Sequence, residues 1–344
     1  MSSTLPNTII QGTVIESRTH DVLGIGNAIV DVITHANDDF LSDNGLAKGA
    51  MTLIDAKTAE ALYGRMGTAV ESSGGSAANT IAGLASLGGR GAFVGKVRND
   101  QLGGIFAHDI RALGVTFDTQ PATTGDSTAR CLIFVTPDAQ RTMQTFLGVS
   151  GSLAPIDIDE AQVRAAAITY LEGYLWDPTE AKKAFEKAAQ IAHDAGNTVA
   201  LSLSDAFCVD RHRADFLRLV EGHVDILFAN ESEILSLYQV DNFDDALQKV
   251  RGHCQVAALT RSEKGSVVVS GEEVHVVDAV HIDKVVDTTG AGDLYAAGFL
   301  HGLTQGKSLH DCGRIGALCA GEIISHYGAR PETSLAELAT KALA

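Results

Sequence analysis

Residues 168–203 carry the strongest indication of the fold and read ITYLEGYLWDPTEAKKAFEKAAQIAHDAGNTVALSL. A short apolar, β-rich run at 168–172 precedes helical periodicity at 179–195, and a second β-rich run follows at 198–203. The two runs contain little polar alternation, which is typical of strands buried on both faces. Strand, helix and strand in this order predict a parallel pair joined by a crossover helix.

The same alternation extends in both directions along the chain. Further β-rich runs lie at 22–26, 92–97, 225–229 and 256–260, and helical patterns lie at 211–221 and 243–252. A small β region at 266–277 is followed by two long helices, at about 291–304 and 308–326. The sequence therefore predicts an α/β fold with a doubly wound, mostly parallel sheet that helices cover on both faces.

Two other segments predict a different kind of sheet. Residues 29–54 and 129–147 alternate polar and apolar side chains, as in an exposed antiparallel sheet. They are far apart in sequence but alike in pattern, so we expect them to pair into a small β-sheet lid over the mouth of the main sheet. No Pro-rich or Ser-rich linker interrupts the chain. The lid is accordingly expected as an insertion into a single domain that spans residues 1–344.

Composition excludes several classes of partner. Of the 344 residues, 45% are hydrophobic and 20% charged, and 26 Lys and Arg against 43 Asp and Glu give a net charge of −17. A field of this sign repels nucleic acid and anionic lipid, so we expect neither as a partner. Five scattered cysteines without a CxxC pair are expected to be reduced. The first twenty residues show no signal-peptide pattern and no apolar run could span a bilayer, so we expect a cytoplasmic protein.

The string Asp287-Thr288-Thr289-Gly290-Ala291-Gly292-Asp293 precedes the first of the two long helices. Small residues at a helix start expose backbone N–H groups, which together with the helix dipole form an anion site. The carboxylate of Asp293 would lie beside that site, where it could accept a proton from a hydroxyl that attacks phosphorus. The alternative is a helix-capping turn in which Asp293 only favours the dipole.

A second glycine-rich string, Gly74-Gly75-Ser76-Ala77-Ala78-Asn79, leads into another predicted helix. Ser76 and Asn79 are three residues apart and therefore share one helix face. The paired glycines allow a ligand to approach the backbone closely. A tight turn with an ordinary cap would explain the same string, and the residues alone leave the two interpretations open.

Together the two strings resemble the signature regions of the phosphofructokinase-B, or ribokinase-like, carbohydrate kinases, a family that includes adenosine kinases. The resemblance covers about residues 21–331. It implies a ribokinase-like doubly wound α/β domain with a small β-sheet lid. It also implies transfer of a phosphoryl group from ATP to an alcohol, with Asp293 as the base and Gly290, Ala291 and Gly292 as the anion site.

The resemblance implies further site residues. Asp31, at the end of Gly24-Ile25-Gly26-Asn27-Ala28-Ile29-Val30-Asp31, matches the family position that binds two sugar hydroxyls, a task suited to a carboxylate. Arg141 resembles a lid arginine that neutralises charge on the phosphates, and a solvated hairpin arginine is the alternative. The other implied substrate residues are Asn27, Gly75, Ser76 and Asn79.

The nucleotide site is implied by three weaker matches. Asn230-Glu231-Ser232-Glu233 follows a predicted strand and is similar to a family motif that holds Mg²⁺ through water, although a helix N-cap explains it locally as well. Thr260 and Gly265 resemble the nucleotide loop, and Thr288 belongs to the anion string. The cofactors implied are ATP and Mg²⁺, with a monovalent cation such as K⁺ as an open addition.

The acceptor is the least constrained part of the interpretation. Phe146, Tyr174, Trp176 and Phe207 fall in segments that align with the purine pocket of adenosine kinases, but core packing would explain each of them. We expect the 5′-hydroxyl of a nucleoside, adenosine first, to be phosphorylated. A sugar kinase and a silent ligand sensor on the same fold stay open as alternatives. The expected partners are small molecules, and the protein could be a monomer or a homodimer.

Overall fold

The computed structural model describes residues 18–138 and 140–343. The first twenty residues, for which no signal peptide is expected, therefore lie largely outside the described residues. The strands in chain order are β1 His20–Ile25, β2 Ile29–His35, β3 Met51–Leu53, β4 Val70–Gly74, β5 Gly91–Val94, β6 Ala129–Val135, β7 Arg141–Phe146, β8 Ala166–Glu172, β9 Thr198–Ser202, β10 Ile226–Asn230, β11 Val256–Thr260, β12 Ser266–Ser270 and β13 Glu273–Val277. The helices are α1 Asp38–Asp43, α2 Ala56–Tyr63, α3 Ser76–Ser86, α4 Gln101–Ala112, α5 Glu160–Arg164, α6 Thr179–Asp194, α7 Ala206–Gly222, α8 Glu231–Tyr238, α9 Phe243–Val250, α10 Ala291–Thr304, α11 Leu309–Ile323 and α12 Leu335–Leu343.

Eight strands form the main sheet in the order β13-β12-β11-β10-β9-β8-β1-β5. The six strands from β11 to β5 are parallel to one another. The hairpin of β12 and β13 continues the sheet in antiparallel pairing at one edge. The predicted α/β class with a mostly parallel sheet is thus confirmed, and the small β region is part of the main sheet.

Helices cover both faces of this sheet, as the apolar strands require. Along β1, Leu23 and Ile25 pack into a core with α6 and α7. Val22 points to the other face, into a core that includes α3, α4 and α10. Trp176 is fully buried on the α6 side, with its ring 5.8 Å from Phe185. Burial on both faces explains why these strands are almost continuously apolar.

A second sheet of five strands has the order β3-β7-β6-β2-β4. Four of its strands lie in the two predicted segments, but Val70–Gly74 lies outside them, so the predicted bounds miss one strand. The expectation of antiparallel pairing is wrong for β2 with β6 and for β3 with β7, which are parallel. The other two pairings are antiparallel. We call these five strands the small sheet.

Several element ends differ from the predicted ones. Helix α7 begins at Ala206, five residues earlier than expected, because Asp205 caps it by accepting from Cys208 N. Helix α11 ends at Ile323 instead of 326. All five cysteines are free, and four are buried. No helix in the described part of the chain is long and apolar enough to cross a membrane.

Candidate active site

A cavity of about 440 Å³ lies between the small sheet and the carboxyl ends of the main strands. The small sheet contributes apolar and polar side chains to its upper wall, among them Ile29, Asp31, Ile133 and Met143. The lower wall comes from the ends of β9, β10 and β11 and from the start of α3 and α10. Sites of open α/β sheets lie at this edge because the helix N-termini and loops converge there.

The floor of the cavity is the segment Thr288–Asp293, all six residues of which line it. Gly290 adopts a left-handed φ of 80° and Ala291 N donates to Thr288 O over 3.2 Å, which turns the chain into α10. Amides in the first turn of a helix have no acceptor within that helix. The turn therefore presents donors and the positive end of the α10 dipole to the cavity, as an anion site requires.

The Asp293 carboxylate is fixed from both sides by α3. Ser76 Oγ donates to Asp293 Oδ1 over 2.6 Å, and Asn79 Nδ2 donates to Asp293 Oδ2 over 3.0 Å. The two helices can approach this closely because a Cβ at Gly83 would lie only 2.5 Å from Leu294 Cδ1. Burial raises the pKa of Asp293 above its ordinary value. The result is an oriented carboxylate of increased basicity next to the anion site.

Asp31, in the middle of β2, is the second carboxylate of the cavity. Its side chain lies over Gly74, where a Cβ would be 2.5 Å from Asp31 Oδ2, so the first glycine of the pair is needed for space. Gly75 lines the cavity next to it. Burial raises the pKa of Asp31 to about 6, although Arg330 and Arg141 lower it in part.

Asn27 does not line the cavity, which differs from the predicted contact with substrate. Its Nδ2 donates to Glu172 Oε1 over 2.7 Å and its Oδ1 accepts from Ser150 Oγ over 2.8 Å, and the residue is 1% exposed. Its side chain is therefore engaged inside the protein, and Asn27 can act on the site only through its neighbours.

Glu172, which the sequence analysis missed, connects Asn27, in the segment after β1, with the start of α3. One carboxylate oxygen accepts from Asn27, and the other accepts from Ala77 N at the start of α3 over 2.8 Å. Burial raises the pKa of Glu172 to about 7. Its position at the carboxyl end of β8 was the only signal in the sequence.

Asn230 and Glu233 line the cavity and form a complete capping box for α8. Glu233 Oε2 accepts from Asn230 N over 2.9 Å, and Asn230 Oδ1 accepts from Glu233 N over 2.9 Å. Glu233 Oε1 accepts from Asn230 Nδ2 as well, so each side-chain oxygen is engaged and the pair fits a cation held through water better than one bound directly. Among the described residues, no group of three or more His, Cys, Asp or Glu is arranged to hold a metal ion.

Only one of the two residues predicted for the nucleotide loop lines the cavity. Thr260, the last residue of β11, lines the cavity. Gly265 does not, because it forms the turn into β12 with a φ of 78°. A Cβ there would lie 2.0 Å from Val277 O, so this glycine is required by the packing of the hairpin.

Arg141, at the start of β7, pairs with Asp287 instead of standing free over the cavity. Its Nη1 lies 2.7 Å from Asp287 Oδ2, and both side chains are only 8% exposed. The ring of Tyr327 covers the guanidinium at 5.5 Å. Asp287 also accepts from Thr289 N, Thr289 Oγ1 and Gly328 N. This ion pair joins the small sheet to the anion loop.

Of the four aromatic residues predicted for the purine pocket, only Tyr174 lines the cavity. Tyr174 is 37% exposed and lines the cavity, and its backbone N donates to Ser204 Oγ over 3.0 Å. Phe146 is 7% exposed, lies beneath Arg130 and does not line the cavity, so its predicted contact with substrate is not supported. Trp176 belongs to the core, and Phe207 is 77% exposed.

Comparison with known proteins shows the family to which the chain belongs. The family model for pfkB carbohydrate kinases matches residues 47–335. The chain belongs to this family. It is therefore a kinase, a phosphotransferase that acts on an alcohol group.

Two solved structures resemble the chain closely. Adenosine kinase from Sinorhizobium meliloti is 56% identical with a TM-score of 0.87, covering 94% of this chain and 99% of that one. A "probable sugar kinase" from Rhizobium etli is 54% identical with a TM-score of 0.88 over the same shares. Adenosine kinase of Saccharomyces cerevisiae is 26% identical over 332 residues, which is 90% of this chain and 96% of that protein. These neighbours confirm the ribokinase-like fold.

Proposed function

We propose that the protein transfers the γ-phosphoryl group of ATP to the 5′-hydroxyl of a nucleoside, with adenosine as the preferred acceptor. The observation that carries this proposal is the Asp293 carboxylate, held by Ser76 and Asn79 beside the N-terminus of α10. A base and an anion site in contact are what an attacking hydroxyl and a transferring phosphoryl group need together.

In this proposal Asp293 takes the hydroxyl proton while the acceptor oxygen bonds to the γ-phosphorus. The bond from that phosphorus to the bridging oxygen breaks, and ADP leaves with the negative charge. The amides at the start of α10, with Gly290, Ala291 and Gly292, face the charge that develops on the phosphoryl oxygens. Asn230 and Glu233 would hold Mg²⁺ through water, and the ion would neutralise phosphate charge. Thr260 and Thr288 also line the cavity, and we assign them to the nucleotide.

The acceptor hydroxyls are assigned to the part of the cavity under the small sheet. Asp31 can accept from two neighbouring hydroxyls through its two oxygens. Asn79 Oδ1 is buried and has no hydrogen-bond partner, although its amide nitrogen donates to Asp293. A buried acceptor without a donor is costly, and a substrate hydroxyl would satisfy it. Tyr174 offers an exposed ring at the cavity for a base.

Adenosine as the acceptor is favoured by the Sinorhizobium meliloti neighbour, and a free sugar is favoured by the Rhizobium etli neighbour of nearly equal identity. A sugar would use Asp31 and Asn79 but leave Tyr174 without a partner. A nucleoside uses all three, which is why we place it first.

An acceptor panel tests the proposal. The purified protein is given ATP and Mg²⁺ with adenosine, inosine, ribose or fructose, in K⁺ and in tetramethylammonium buffer, and ADP release is followed. We expect the highest kcat/KM with adenosine, a 5′-monophosphate as product, and very little ADP without acceptor. A higher kcat/KM with ribose or fructose would make the protein a sugar kinase. No transfer to any of the four would contradict the proposal.

A further inference from the structure

Arg330 has a place in the site that neither glycine-rich string indicates. It lies in the connection between α11 and α12, next to Ala329, which lines the cavity. Its Nε and Nη2 donate to Ser73 O over 3.1 and 2.9 Å, its Nη2 also donates to Ser73 Oγ over 2.9 Å, and its Nη1 donates to Ala78 O over 2.8 Å. One guanidinium therefore spans the Ser73–Ala78 segment.

This segment contacts two of the three carboxylates that line the cavity, Asp31 and Asp293. Gly74 is the residue against which the Asp31 carboxylate packs, and Ser76 is a donor to Asp293. The segment itself carries no charged side chain between residues 73 and 78. Arg330 thus places a positive charge next to the uncharged segment that lies between Asp31 and Asp293.

We propose that Arg330 is a positioning residue of the phosphoryl transfer, which fixes the Ser73–Ala78 backbone and supplies the fixed positive charge shared by Asp31 and Asp293. The planar fork of arginine suits this task, because it can bond two carbonyl oxygens at once while it stays charged. The inference rests on the proposed function, in which these two carboxylates act as hydroxyl acceptor and base.

The charges around Asp31 agree with such a role. The Arg330 charge is the largest effect that lowers the pKa of Asp31, ahead of that of Arg141 on β7, whereas burial and Asp293 raise it to about 6. Cys131, its neighbour on β6, has a pKa raised to about 12 and is uncharged near neutral pH. Arg330 also lowers the raised pKa of Asp293, and it faces a third carboxylate, Asp109 on α4, which accepts from Ser73 N over 2.7 Å. Without Arg330 Asp31 and Asp293 would hold their protons to higher pH.

The test compares Arg330→Met, Arg330→Lys and the control Arg90→Met. Arg90 pairs with Asp21 at the opposite, amino end of β1, far from the cavity. The first readout is the pH profile of acceptor kcat/KM, whose acid limb we expect near the Asp31 pKa of about 6. The second is the ¹³C titration of aspartate carboxyls in the protein without substrate, with the Asp31 signal assigned through Asp31→Asn.

We expect Arg330→Met to move both the acid limb and the Asp31 titration upward by about one pH unit, the usual effect of losing one nearby opposite charge. Arg330→Lys should keep both near the parent values but lower kcat roughly tenfold, because one ammonium cannot replace the fork. Arg90→Met should change neither. Unchanged titration in Arg330→Met would overturn the role of the charge.

Full turnover in Arg330→Lys would overturn the positioning role. If Arg330→Met does not fold, Arg330→Lys still tests that role. The carboxyl titration needs no catalysis. If the parent protein transfers no phosphoryl group to any acceptor of the panel, the proposed function fails, while the titration still decides whether Arg330 holds Asp31 ionised.

Discussion

Replacement of Arg141 by methionine tests how the small sheet is held to the anion loop. The substitution keeps most of the side-chain length and removes the charge. Loss of one member of a buried ion pair costs about 3–5 kcal/mol when the other member is left without compensation. Asp287 keeps three donors from Thr289 and Gly328, so we expect a loss at or just below the low end of this range, about 2–3 kcal/mol in the free energy of unfolding.

Urea denaturation of parent and variant measures this value. The matched control is Arg164→Met, because Arg164 pairs with Glu160 on the surface, with 44% and 60% of the side chains exposed. Such a pair contributes less than about 1 kcal/mol. We also expect kcat of Arg141→Met to fall about 10–100-fold, since the anion loop loses its support, with acceptor affinity nearly unchanged.

Adding Asp287→Asn separates the ion pair from other effects. If the two side chains act on each other, the double variant should be less destabilised than the sum of the single variants. Additive losses would show that the pair contributes little. An Arg141→Met protein with parental stability and parental kcat would refute this account of the contact.

The remaining predictions concern the acceptor, pH and closure. Asp31→Ala should raise the KM for the acceptor about 100-fold while the KM for ATP stays within about threefold, because only the acceptor loses hydrogen bonds to a charged group. An equal increase of KM for both substrates would count against the assignment. The KM for a 2′,3′-dideoxy acceptor should be insensitive to the substitution. The pKa of Asp31 is raised from 3.8 to about 6, and those of Glu172 and Glu233 are raised from 4.5 to about 7. Over this pH interval the folded protein therefore holds protons that the unfolded chain releases. The free energy of unfolding without substrate should therefore fall as pH rises from about 4.5 to about 7, while acceptor kcat/KM rises over the same interval. Urea denaturation at several pH values measures this trend. A slope of the opposite sign would show that these groups are not buried as described. In hydrogen exchange, the acceptor should protect residues 29–54, 70–74 and 129–147 more than ATP does, because we expect the small sheet to close over the acceptor; protection by ATP alone would contradict this.

The main sheet was predictable from the sequence because parallel strands buried on both faces are short, almost continuously apolar runs between helical patterns. The small sheet was predictable only in part. Val70–Gly74 reads VESSG, an edge strand with one β-branched residue and two small polar ones, which a pattern of alternation does not distinguish from a loop. Helix α1 was hidden inside a predicted sheet segment, although Asn37 carries an N-cap signal by accepting from Phe40 N.

In the site, the local strings were predictable and their contacts were not. Asn79 and Asp293 are 214 residues apart, and nothing in either string states that they share a hydrogen bond. Glu172 and Arg330 belong to neither glycine-rich string, and their importance arises from burial among backbone groups of other segments. Asn27, Phe146 and Gly265 show the converse, since each lies close to the site in sequence but packs away from the cavity.

The most direct test of the central claim compares the parent protein with Asp293→Asn in the presence of ATP, Mg²⁺ and adenosine. Asparagine keeps the shape and can still bond to Ser76 and Asn79, but it cannot take a proton. ³¹P NMR follows the product, and calorimetry measures acceptor binding. The account predicts AMP from the parent and a kcat lower by roughly 10²–10⁴ in the variant, with acceptor affinity little changed. Turnover of Asp293→Asn near the parental rate would contradict it.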